Sequence, residues 1–508
     1  MGAGFSRINS LTIIQTSQGI AEHVLASQRE ASLAGIVVGY DGRHNSKHYA
    51  ELAAAAFIAK GIKVWWYEDI VHTPLVPFAV KHLKAAAGIM ITASHNPAQD
   101  NGYKVYSSTA CQINAPVDGE ISSFISRNLE PQTWDVTQLS TSNHIRNIRE
   151  PMLNLYIGNV WDFVSQYSCR TGKHDFPAFV YSPLHGVGLH FMEKATRALV
   201  CPLDGSEMEP IRMVVVEEQA RPDPNFPTVT FPNPEEAGTL DLAKKTADVH
   251  GIALIIVNDP DADRLAVAEK IEGNRWVQYT GDQLGVLLAH YLLSQTRREN
   301  ETGSDKTHVL CSAVSSQMLS VIARDMDVSF AETLTGFKWL GNCARNIQEG
   351  GAECLFAYEE ALGYMFPSVL FDKDGILAAA VFLSACRQWQ SPWGELQKLY
   401  RKYGCFVTMN TYWRSPDINT ISECFRKIRD LDKPSAVADR RVVRWRDMTI
   451  GYDSASEDGV PVLPDAPGGQ MITCWLSGLE EDEIRFTIRA SGTEPKLKSK
   501  IFDSLRDR

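Results

Sequence analysis

The chain has 508 residues, 44% hydrophobic and 22% charged, with a net charge of -11. That length exceeds what one hydrophobic core supports, so three or four domains are expected. The negative charge argues against generic nucleic-acid binding, and no apolar run approaches the roughly 20 residues that span a bilayer, which argues against a membrane partner. An anionic substrate must therefore be drawn in by local basic groups. Met1 to Ser10 lacks the layout of a secretory leader, and although Met1-Gly2 with Ser6 fits a myristoylation pattern, that is not the expected reading. The 10 cysteines contain no C-x-x-C pair, which speaks against zinc and disulfides and predicts a reducing, cytoplasmic setting.

In chain order, residues 34–40 read as a buried strand ending in Asp41-Gly42-Arg43. An Ala-rich helix follows over 48–60, then strands over 63–67 and 87–92. A second block repeats the scheme with strands at 178–181, 213–216 and 254–257 and a helix around 191–199. A third has strands at 309–312 and 353–357, a helix at 317–324 and a longer one at 375–388. Strands alternating with helices predict parallel βαβ units. The last hundred residues differ: a charge-rich stretch, a run rich in Asp, Pro and Gly, and alternating segments at 471–476 and 483–488 that predict an antiparallel sheet.

The sharpest chemical signal is Asp259-Pro260-Asp261-Ala262-Asp263-Arg264. Three carboxylates at alternate positions follow an apolar strand, at the end where α/β proteins place ligands. Alternation is expected to send them to one locus, which suits a hard cation such as Mg²⁺. An EF-hand is excluded by the missing Gly and distal Glu. Thr92-Ala93-Ser94-His95-Asn96-Pro97 places Ser94 on a tight bend, exposed as a nucleophile, with His95 and Lys104 able to handle protons or charge. Arg489-Ala490-Ser491-Gly492-Thr493-Glu494-Pro495-Lys496 combines hydroxyls, small residues and an Arg fit for phosphate. Lys498 and Lys500 read as a solvated strand face. Thr335-Gly336-Phe337-Lys338-Trp339 and the pair Glu359-Glu360 are weaker, and His185-Gly186-Val187-Gly188 mimics a dinucleotide loop without its third Gly.

Together and in this order, these segments resemble the α-D-phosphohexomutase superfamily, in its branch of phosphopentomutases, phosphoglucomutases and glucose-1,6-bisphosphate synthases. The resemblance implies an α/β fold: three related mixed-sheet domains plus a fourth α+β domain around a central cleft, placed at 1–165, 166–278, 279–402 and 403–508. It implies that Ser94 becomes phosphorylated and, with Asp259, Asp261 and Asp263, holds Mg²⁺. Arg264, His95 and Lys104 would flank the transfer. Thr335, Gly336, Glu359 and Lys373 would meet the sugar, and Arg489, Ser491, Gly492, Thr493 and Lys496 its other phosphate. The implied activity is a phosphosugar mutase acting through a bisphosphate, with glucose-1,6-bisphosphate as activator. The alternatives are a bisphosphate synthase or a silent homologue acting as a binding protein. Ala361 replaces a Ser found in many relatives, so pentose-1-phosphate is expected to be used at least as well as hexose-1-phosphate. A first strand and substrate loop of the family are not matched at the start, nor a closing helix at the end. A version extended upstream is therefore expected to be more soluble and more active.

Overall fold

The computed structural model describes residues 4, 7–167, 174–200, 209–299, 307–415, 417–431, 435–437, 439–463, 469–477, 483–490 and 496–505. Its strands form four sheets. The first runs Tyr103–Ser107, Ala87–Ile91, Ile36–Tyr40, Val64–Trp66, Ile145–Asn147. The second runs Arg275–Gln278, Leu265–Ile271, Leu254–Asn258, Phe179–Ser182, Met213–Val215. The third runs Ser329–Thr333, Thr307–Ser312, Glu353–Glu359, Gly363–Met365.

These three share one scheme. Parallel strands form the body, and the last of them turns back into an antiparallel neighbour: Ala87–Ile91 into Tyr103–Ser107, Leu254–Asn258 into Leu265–Ile271, Glu353–Glu359 into Gly363–Met365. The parallel strands are apolar on both faces, as at Ile36–Tyr40 and Leu254–Asn258, where every residue is buried. Such strands need helices on both sides. The expected parallel units are thus present, but each sheet gains an antiparallel edge.

The fourth sheet is antiparallel throughout, in the order Cys405–Arg414, Lys496–Leu505, Glu483–Ala490, Met471–Ser477, Arg440–Asp447, Ala436–Val437, with Tyr452–Asp453 paired to Arg440–Asp447. One helix, Ile418–Asp430, lays Ile421 and Phe425 on it.

At the centre lies the helix Gly375–Cys386, buried along its whole length and packed on Arg149–Tyr167 and Gly188–Leu199. A helix apolar all round has no solvent face to offer and must be enclosed. Asp374 caps it, accepting from the N–H groups of Ile376 and Leu377 at 3.0 Å each. Each enclosed Leu or Ile contributes about 1.5–3 kcal/mol of burial. No described helix is long and apolar enough to cross a membrane, and the cysteines among the described residues are free thiols.

Candidate active site

The three turns into antiparallel edges converge. In the first, Ser94 adopts φ 51°, a left-handed conformation that a residue with a Cβ holds only when its surroundings impose it. Thr92 Oγ1 accepts from the Ser94 N–H at 2.8 Å. The buried Arg43 guanidinium donates to the carbonyls of Ser94, Asn96, Pro97 and Asp100. Arg43 is anchored by Asp41 at 3.4 Å and lies 5.0 Å from the Phe226 ring centroid. Gly102 closes the loop, since a Cβ there would stand 2.3 Å from the Thr92 carbonyl oxygen. The Ser94 hydroxyl is half-buried rather than exposed, because it faces the second sheet: it donates to Asp259 Oδ2 at 2.8 Å and lies 3.4 Å from His95 Nδ1.

In the second turn, Asp259, Asp261 and Asp263 are each 0% exposed. They stand in a bend with Ala262 at φ 53°, so the bend brings them together, not the alternation of a strand. The His185–Gly188 run is the seat of this bend. The Val187 N–H donates to the Pro260 carbonyl at 2.9 Å, and a Cβ on Gly186 would meet Pro260 Cα at 2.3 Å. Asp261 Oδ2 accepts from Thr73 Oγ1 at 2.6 Å and Lys104 Nζ at 2.8 Å. Asp263 Oδ2 accepts from Lys104 Nζ at 2.8 Å and pairs with Lys373 Nζ at 3.0 Å. Asp261 Oδ1 and Asp263 Oδ1 are buried with no hydrogen-bond partner. One oxygen from each of the three carboxylates lies within 4.8 Å of the others. Orphaned carboxylate oxygens grouped in this way fit a hard divalent cation.

Burial and the two neighbouring carboxylates push Asp259 well above the usual carboxylate range. Burial also opposes the charge of Asp261, but its pairing with Lys104 wins and holds it low. For Lys104, burial is outweighed by Asp261 and Asp263, which keep it an ammonium. Burial, and then Arg264, hold His95 neutral.

In the third turn, Glu359 Oε1 accepts from the Gly336 N–H, where Gly336 has φ 109°. Burial and then Glu360 raise Glu359. Lys500 and Arg489 overcome burial and lower Glu360. Arg264 joins the second and third turns: its N–H donates to Asp259 Oδ1 at 3.0 Å and its Nη1 to the Ala361 carbonyl at 2.8 Å. Thr335 is half-buried beside Gly336, and Lys373 is 9% exposed.

From the fourth sheet, Arg489 is half-buried near the end of Glu483–Ala490. Ser491, Gly492 and Thr493 lie outside the described residues, as does the Lys496 side chain. Lys500 is not a solvated residue. It is 6% exposed, with Nζ 3.3 Å from Oδ2 of Asp282, in the first turn of the helix Gly281–Glu299, which covers it.

Arg43, Thr73 and Lys500 were therefore not singled out as site-building residues from the sequence. A signal existed for Arg43, which closes Asp41-Gly42-Arg43 at a strand's carboxyl end. Thr73 has only the turn-forming Pro74 beside it.

Known proteins are similar to this chain. The phosphoglucomutase/phosphomannomutase alpha/beta/alpha domains I, II and III match residues 2–132, 155–272 and 280–403. The phosphoribomutase of Saccharomyces cerevisiae is 42% identical over 98% of the chain and 83% of its own length. The phosphopentomutase of Homo sapiens is 40% identical over 98% of the chain and 82% of its length. The human glucose 1,6-bisphosphate synthase is 35% identical over 98% of the chain and 81% of its length. The fold matches a solved phosphoglucomutase/phosphomannomutase family protein from Burkholderia thailandensis, with TM-score 0.70, 17% identity, and coverage of 100% of this chain and 92% of that one. It also matches the Aspergillus fumigatus N-acetylphosphoglucosamine mutase in complex with GlcNAc-6P and magnesium, with TM-score 0.51, 13% identity, and coverage of 85% and 88%.

Proposed function

Because the chain belongs to the phosphoglucomutase/phosphomannomutase family, we propose that it is a phosphosugar mutase acting on pentose phosphates, moving the phosphoryl group between the 1- and 5-positions of ribose or deoxyribose. Hexose 1- and 6-phosphates are the secondary substrates. The observation that carries the reading is the Ser94 hydroxyl, 2.8 Å from the carboxylate cluster of another sheet in a chain 40–42% identical to pentose-phosphate mutases.

Ser94 carries the phosphoryl group in this reading. The Oγ–P bond breaks as a P–O bond forms to the sugar hydroxyl. The hydroxyl proton passes to a neighbouring base, His95, whose Nδ1 lies 3.4 Å from Ser94 Oγ. The bisphosphate then turns over and returns its other phosphoryl group to Ser94 Oγ. The three carboxylates are faced by Lys104, Lys373 and Arg264, so a phosphoryl group on Ser94 adds close to two unmatched negative charges. Asp259, Asp261 and Asp263, with a phosphate oxygen, would hold Mg²⁺, which supplies charge stabilisation of the phosphoryl group in transit. Lys104 and Arg264 steady the same charge. Thr335, Gly336, Glu359 and Lys373 orient the sugar, and Arg489, Ser491, Gly492, Thr493 and Lys496 grip the distal phosphate. Glucose-1,6-bisphosphate serves as activator by loading Ser94.

Ala361 presents no hydroxyl beside Glu359, and a lost hydrogen bond changes selectivity by about 0.5–1.5 kcal/mol. The test compares kcat/KM for ribose-1-phosphate and glucose-1-phosphate, with Mg²⁺ and trace bisphosphate, in wild type and Ser94→Ala. Pentose turnover at least equal to hexose turnover is expected, and none in the variant. A strong glucose preference would overturn the pentose reading. Bisphosphate formation from a separate phosphoryl donor, without mutase turnover, would point to a synthase.

A further inference from the structure

We propose that Thr73 is a positioning residue that presents Asp261 to the cation and ties metal binding to the seam between the first and second sheets. The inference rests on the metal-dependent reading above. Asp261 has two oxygens with different surroundings. Oδ2 is occupied twice, by Thr73 Oγ1 at 2.6 Å and Lys104 Nζ at 2.8 Å. Oδ1 is buried and has no hydrogen-bond partner. Holding Oδ2 against the first sheet's side of the seam leaves Oδ1 as the oxygen offered to the carboxylate cluster.

Thr73 grips Asp261 at two points, because its own N–H also donates to the Asp261 carbonyl at 2.9 Å. The backbone bond fixes the bend and the hydroxyl fixes the carboxylate rotation about it. Lys104 cannot do the second job alone. Its Nζ is shared with Asp263 at 2.8 Å and sits on a flexible stem. Thr73, by contrast, is enclosed: it is 0% exposed, precedes the helix Leu75–Leu83, and follows His72, whose buried ring lies 4.0 Å from the Phe191 centroid and 4.8 Å from that of Tyr156. A hydroxyl on so enclosed a mount can orient a ligand carboxylate. Partners of this kind set metal affinity, and their removal costs about 10–100-fold.

The test measures Mn²⁺ binding to the full chain by isothermal titration and electron paramagnetic resonance. Thr73→Val keeps shape and the backbone bond but removes the hydroxyl, while Thr73→Ser keeps the hydroxyl. Thr73→Val is expected to weaken Mn²⁺ binding by about 10–100-fold, and Thr73→Ser to stay near wild type. Unchanged affinity in Thr73→Val, or equal weakening in both variants, overturns the proposal and leaves the metal reading intact. No Mn²⁺ binding by wild type at millimolar metal overturns the metal reading itself.

Discussion

A single guanidinium stands behind the nucleophile. Arg43 donates to four carbonyls of the Ser94 loop while burial works against its own charge, with Asp41 as the main compensation. Such a group holds a left-handed serine in place more firmly than the loop could alone. Arg43→Lys keeps the charge but loses the planar fork that reaches several acceptors at once. Charge-assisted hydrogen bonds are worth about 1.5–3 kcal/mol. The variant is expected to lose roughly that much stability in urea unfolding, and to lose tenfold or more in kcat with KM less affected. A wild-type kcat would show that the loop keeps its shape without the fork. At this scale, Ser94 and the Asp triplet were legible in the sequence because clustered like charges at a strand end demand a reason. Arg43 left only the faint signal of Asp41-Gly42-Arg43 at a strand end, since the groups it holds in the Ser94 loop are backbone carbonyls that leave no mark on side-chain types. Lys500 was misread because strand alternation does not say which face another domain covers.

The caps and turns of single elements carry a measurable pH dependence. Asp374 caps the central helix, and the Tyr156 hydroxyl donates to its Oδ2 at 2.7 Å, yet burial pushes its pKa from 3.8 up to about 7. Between pH 3.8 and 7 the folded carboxyl therefore keeps a proton that the unfolded chain releases. Stability falls as pH rises through that window, by on the order of 4 kcal/mol once it is crossed. Asp374→Asn retains a capping oxygen and cannot ionise. Its melting temperature is expected to gain on wild type between pH 5.5 and 8, and parallel curves would rule out ionisation at this site. Apolar strands such as Leu254–Asn258 were readable because both faces are buried and no alternation obscures them. The helix Ser10–Ser27 offers less. Its buried positions include Ser17, Gln18 and Gly19, so no clean apolar stripe announces it, although Asn9 and Thr12 form a capping box. The antiparallel edge strands were equally faint, being short and partly polar as at Arg275–Gln278.

Across the whole molecule, the fourth sheet is fastened to the third by charge as well as by apolar contact. Glu332 meets Arg485 at 2.6 Å and Arg446 at 3.4 Å, both arginines nearly buried, beside a small cluster that includes Leu334, Met448 and Met471. Removing one member of a buried ionic group leaves the others uncompensated, at about 3–5 kcal/mol. Glu332→Gln is expected to split the calorimetric transition, the fourth sheet melting first. One unshifted transition would show that the apolar cluster suffices. No pattern in the sequence linked Glu332 to residues more than a hundred positions away, because such contacts are set by how the sheets stack. The enclosed helix Gly375–Cys386 has a consequence in time as well as space. The helices it packs on, Arg149–Tyr167 and Gly188–Leu199, are synthesised nearly two hundred residues earlier. At 5–20 residues per second a ribosome needs roughly 10–40 s to supply the missing filler. Throughout that interval the nascent chain holds out an unfilled apolar groove, and whatever shields it must let go when Cys386 emerges.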